Sequence, residues 1–166
     1  MEKILIRIAW FVGLSLLQVM LLNNISLFGL ATPLLYIYLI LVLDKNVNRI
    51  SLMLIAFALG FTIDIFSNTP GVNAAASVFL AFLRPSLLQM FSPRDEFENF
   101  EPGIHTLGIG PFVRYAFMSI LLHHAAVFLL ETFSFAHAGY LTLRILCSTL
   151  LTGMLVIAID FIRHRR

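Results

Sequence analysis

The chain is short of charge. Only 12% of its 166 residues are Asp, Glu, Lys or Arg, against about 25% in soluble domains. A soluble domain of this length has to cover its core with polar surface, and too little is available for that. Cysteine is almost absent too: Cys147 stands alone in an apolar run, which excludes an internal disulfide or thiolate cluster and leaves packing as its expected role. The sequence has no phosphate-binding glycine loop, no HExxH, no nucleophile beside an evident base and no nucleic-acid signature. No segment outside the apolar runs is large enough for chemistry. The expectation is a protein without catalytic residues, metal or cofactor.

What is present is apolar sequence: 60% hydrophobic residues and a mean hydropathy of +0.94. A bilayer core of about 30 Å takes about 20 helical residues. Six runs fit, at 4–22, 27–43, 50–66, 72–91, 111–131 and 140–162, in a single all-α domain covering 1–166. The second is the least regular. Thr32-Pro33 reads as an N-cap followed by proline at the first helical position, and from Pro33 to Leu43 a helix rises only about 17 Å. Residues 25–32 are therefore expected as a broken or re-entrant piece shielded by neighbouring helices. Thr69-Pro70-Gly71 repeats the start signal before the fourth run.

Lys3 and Arg7 flank the first run, Lys45 and Arg49 lie between the second and third, Arg94 between the fourth and fifth, and Arg163, Arg165 and Arg166 close the chain. The other connections, 23–26, 67–71 and 132–139, contain neither Lys nor Arg. The positive-inside rule then places both termini in the cytoplasm. Asn23-Asn24-Ile25 offers no small-x-small cleavage site, so residues 1–22 read as a retained helix rather than a signal peptide.

Charged residues at membrane depth are expensive and need a reason. Asp64, Glu131 and Arg144 fall at one level near the outer face, and an Arg144 ion pair with Asp64 or Glu131 is the expected arrangement. Such a pair either fixes helix packing or forms a polar site. Arg84, Arg114 and Asp160 lie toward the inner side. Snorkelling to the headgroups accounts for Arg84, and it accounts for the other two singly or as a pair. His123 and His124 are adjacent, about 100° apart on a helix, and read as neutral histidines at a helix contact rather than metal ligands. Ala56, Gly60 and Asp64 share one face at four-residue spacing, and small residues there admit a neighbouring backbone. The segment 92–110 is an acidic cytoplasmic loop. Its Asp95, Glu96, Phe97, Glu98, Phe100 and Glu101 make either a solvated helix or a docking segment for a cytoplasmic partner.

Two blocks, ATPLLYIYLILVLD at 31–44 and LGFTIDIFSNTPGVNAAASVFLAFLRP at 59–85, together with the six-run layout, resemble the rod shape-determining protein MreD family. The resemblance implies a non-enzymatic subunit of the bacterial elongation machinery in the cytoplasmic membrane, with a bundle similar to the substrate-binding subunits of energy-coupling-factor transporters. It implies partners: a bitopic MreC-like protein and, indirectly, MreB, RodA and a class B penicillin-binding protein. Gly60, Asp64, Pro70 and Gly71 match the family motif and are expected to shape a lateral or outer cleft for a partner helix. Asp64 is expected to act through Arg144. Membrane lipids are further partners, and the sequence is equally compatible with self-association. The alternative is a small-molecule binding subunit of a membrane transporter, with Asp64 and Arg144 lining an outer pocket.

Overall fold

A computed structural model describes residues 2–25, 29–92, 100–132 and 138–163. Among these, every regular element is helical. They are α1 (Glu2–Met20), a 3-10 turn (Leu22–Asn24), a second (Leu35–Ile37) leading into α2 (Tyr38–Val42), α3 (Arg49–Ser67), α4 (Val72–Phe91), α5 (Ile104–Leu107), α6 (Ile109–Thr132) and α7 (Ala138–Arg163). Five helices, α1, α3, α4, α6 and α7, are long and apolar enough to cross a membrane, the make-up of a multi-pass membrane protein. Their outward faces carry side chains such as Leu54, Ile65, Met90 and Met154, each more than 60% exposed. Such a surface is stable against lipid, not water.

The long helices follow one another in space as α1, α3, α4, α6 and α7, each packed on the next. Residues 31–43 run inside this row. Tyr36, Ile37, Tyr38, Ile40 and Leu41 are wholly inaccessible, and α2 touches α1, α3 and α4.

The expected helix start at Thr32-Pro33 is not what forms. The helical part begins at Leu35, with Leu34 before it and no side-chain cap, because the amides ahead of it are bonded by other helices. Thr32 N–H donates to Ser148 Oγ at 3.0 Å and Leu34 N–H to Thr152 Oγ1 at 3.1 Å, both on α7. From the other side, α1 places Gln18 so that its Oε1 accepts Leu35 N–H at 2.8 Å and its Nε2 donates to Pro33 O at 2.9 Å. Irregular backbone survives in an apolar bundle only where protein groups satisfy it. Here α1 and α7, at the two ends of the row, are joined through the segment both of them bond.

Contacts gather at two ends of the bundle. At one, Arg7 pairs with Asp44 and Arg163 with Glu101, and Lys45 N–H donates to Phe100 O at 3.0 Å. At the other, Asn23 Nδ2 donates to Ser67 Oγ at 2.7 Å, Arg144 pairs with Glu131 at 3.0 Å, and Tyr140 Oη donates to Gly29 O at 3.0 Å.

Candidate functional site

The α3–α4 junction is built from small residues and one carboxylate. A Cβ on Gly60 would lie 2.4 Å from Asn73 O and 2.7 Å from Ala74 Cα, so only glycine lets α4 start against α3 at this point. The turn between them uses two left-handed residues, Asn68 (φ 54°) and Gly71 (φ 83°). Asn tolerates that region better than most side chains, and Gly does so without strain. Gly71 occupies the N-cap position of α4 and has no side chain to cap it.

Asp64, one turn beyond Gly60 on the same face, supplies the missing cap. Its Oδ1 accepts Asn73 N–H, Asn73 Nδ2 and Thr69 Oγ1 at 3.0, 3.0 and 2.9 Å, and its Oδ2 accepts Ala74 N–H at 2.8 Å. An N-cap side chain normally reaches the second or third amide of its own helix; here a carboxylate from the preceding helix reaches both. The negative charge also faces the positive end of the α4 dipole.

Three of these bonds fall on Oδ1 and one on Oδ2, all from the turn and the start of α4. The expectation that Asp64 acts through Arg144 is corrected by where Arg144 lies. Arg144 pairs with Glu131 and lies over the Phe128 ring at 4.2 Å. Asp64 is 3% exposed and bonded by the turn and the first amides of α4. Of the motif residues, Gly60 and Asp64 are buried, while Pro70 and Gly71 are exposed at the turn.

From this junction a polar chain crosses the core. Asn73 uses its amide protons on Asp64 and Thr69, so its Oδ1 accepts from Tyr36 Oη at 3.0 Å. The Tyr36 oxygen then accepts from His123 Nε2, also at 3.0 Å. His124 Nδ1 donates to Ile120 O at 2.9 Å, which leaves its Nε2 to accept from Thr152 Oγ1 at 3.3 Å. Both histidines are wholly buried, one bonded to Tyr36 of the central segment, the other to Thr152 of α7. These proton positions are assigned from the donors and acceptors around them.

Snorkelling does not describe Arg84, which is 1% exposed. Its guanidinium donates to the carbonyls of Leu41 (3.3 Å) and Leu43 and, through Nε, to Tyr115 Oη at 3.2 Å. Tyr115 Oη donates in turn to Leu41 O at 3.1 Å. The cation thus closes the C-terminal end of α2, where orphan carbonyls and the helix dipole favour positive charge. The carbonyls of the central segment hold Arg84 inward, and it shares Leu41 O with Tyr115.

Asp160 is buried and accepts Tyr38 Oη at 2.9 Å and Ile104 N–H at 2.7 Å. Arg114 is exposed, bonds Gly110 O on its own helix and does not pair with Asp160. Of the loop candidates, Phe100 is 7% exposed with the Lys45 ammonium 5.3 Å above its ring, and Glu101 holds Arg163. Both make contacts within the chain. Asp95, Glu96, Phe97 and Glu98 lie outside the described residues.

The sequence reading passed over Gln18, Tyr36, Asn73, Ser148 and Thr152, although a glutamine and a run of small hydroxyls inside apolar helices were the available signals. No protein family, no curated protein and no solved structure matches the chain.

Proposed function

We propose that this chain is a non-enzymatic scaffold subunit of the MreD kind in a bacterial cytoplasmic membrane, crossing it six times with both termini inside. In this reading residues 29–43 form the second, broken crossing. The observation that carries the proposal is that the two blocks bearing the resemblance fold into one unit. Tyr36 of the first bonds Asn73 of the second, and Arg84 of the second bonds Leu41 and Leu43 of the first. Support for the orientation comes from Arg7, Lys45 and Arg163 gathering at one end. The buried polar groups hold helices to one another, as a subunit offering a fixed outer shape to a partner helix requires. The partner is an MreC-like bitopic protein, and through it the MreB, RodA and class B penicillin-binding protein assembly that controls rod shape and lateral wall synthesis.

The burial of Asp64 and its use in capping α4 count against the transporter alternative, which needs that carboxylate for a ligand. The test is affinity purification from gently solubilised native membranes with mass spectrometry of what stays bound. Recovery of a bitopic coiled-coil protein with wall-synthesis enzymes supports the scaffold. Recovery of an ATPase-driven transport module overturns it.

A further inference from the structure

A cleft of about 330 Å³ opens between α1, α2 and α3, lined by Arg7, Ile8, Phe11, Leu39, Leu43 and Ile55. Leu39 and Leu43 are 4% and 3% exposed and form its floor. Ile8 is 54% exposed on its outer wall. Every lining residue but Arg7 is apolar, and Arg7 lies at the end of the bundle where Asp44 meets it.

Its lining decides what enters: aliphatic and aromatic side chains with a single cation at the edge. A column of methylenes fits without bringing any polar group into the apolar lining. The mouth offers the matching charge. Arg7 is about one-third exposed and gives Asp44 one of its donors, and a guanidinium has five. Lys45 and Arg49 are exposed at the same end.

We infer that the cleft is a lipid site, holding one acyl chain of an anionic phospholipid between α1 and α3 with its phosphate on Arg7. This stands apart from the scaffold reading and does not need it. Trp10, the single tryptophan, lies between Ile8 and Phe11 on α1 and packs against Tyr38 at 5.7 Å, a natural reporter beside the cleft. The full chain is reconstituted in phosphatidylcholine vesicles containing graded brominated phosphatidylglycerol or brominated phosphatidylcholine, and Trp10 quenching is followed. Half-maximal quenching is expected at a mole fraction at least about threefold lower for the anionic lipid, as a site enriched by charge requires. Ile8→Phe with Ile55→Phe narrows the cleft and removes the difference, and Arg7→Gln removes the headgroup preference while quenching persists. Ile8→Phe alone, at an exposed side chain, is the check that the fold is kept. Identical curves for the two lipids in the unaltered chain overturn the proposal, as does a preference that survives narrowing. Absence of quenching by either lipid assigns the cleft to protein, a second copy or a partner, and overturns it as well.

Discussion

Asp64 of α3 caps α4, accepting the amides of Asn73 and Ala74 at 3.0 and 2.8 Å where Gly71 has no side chain to do so. The carboxylate belongs to one helix and does the capping work of the next. Removing it unsatisfies two buried amides, a side-chain amide and a hydroxyl together.

Asp64→Ala is therefore expected to cost about 3 kcal/mol or more, since each orphaned buried group costs about 1–3 kcal/mol. Asp64→Asn, which keeps one acceptor oxygen, costs about 1–2 kcal/mol. Unfolding in mild detergent measures both. Combined with Arg144→Gln, the effects should add within about 0.5 kcal/mol, as for residues sharing no partner; a larger coupling would restore the Asp64–Arg144 link.

Gly60→Ala drives a Cβ into the α4 backbone and should destabilise by about 1–3 kcal/mol, the usual cost of overpacking. Gly13, with nothing within 4 Å of an added Cβ, is the control. Gly13→Ala should be neutral or stabilise by up to about 1 kcal/mol through helix propensity. Melting temperatures moving in the same direction for both would count against the close approach of α3 and α4.

Arg84→Met removes the guanidinium from Leu43 O and one of the two donors from Leu41 O and is expected to cost about 3 kcal/mol, against about 1 kcal/mol for Tyr115→Phe. Because the two side chains share Leu41 O, the double variant should depart from additivity by more than about 0.5 kcal/mol. Strict additivity in a thermal unfolding series would remove the shared cap.

Gln18→Leu frees Leu35 N–H and Pro33 O in the core. Amide hydrogen exchange at Leu35 and Tyr36 should accelerate by at least tenfold, equivalent to about 1.4 kcal/mol of lost protection. Thr152→Val should do the same at Leu34 alone. Unchanged exchange in both variants would mean that α1 and α7 do not hold the segment.

Glu131→Gln is the mild case. The pair it makes with Arg144 is partly exposed, at 40% and 26% of the two side chains, and pairs of that kind contribute about 1 kcal/mol or less. A drop in stability beyond that, read in the same detergent assay, would show the pair to be part of a larger network.

Much of the fold was legible in the residues. The long apolar runs correspond to α1, α3, α4, α6 and α7, because in lipid a helix needs only length and an apolar exterior. Ala56, Gly60 and Asp64 announced a face for close packing, and Gly60 does meet α4 on it. The run at 27–43 was recognisable as irregular, but its start was misplaced. The partners of its amides, Gln18, Ser148 and Thr152, lie in other helices, and local capping signals carry no information about them. The same limit misdirected Asp64 and Arg84. Asp64 was expected to meet an opposite charge and Arg84 to reach the headgroups, whereas both ions are met by backbone dipoles: amides at the start of α4 and carbonyls at the end of α2.

The bonds from Thr32 and Leu34 to α7 also set an order of events during synthesis. Their acceptors, Ser148 and Thr152, follow 116 and 118 residues later, so a ribosome delivering the chain has placed α1, α3, α4 and α6 before either amide can be satisfied. Until the last helix arrives, the segment 31–35 is held from one side only, by Gln18. Assembly of this bundle is therefore completed by its final helix, and in a nascent chain stopped short of Cys147 a cysteine introduced as Ala31→Cys should be open to thiol-modifying reagents from the aqueous side.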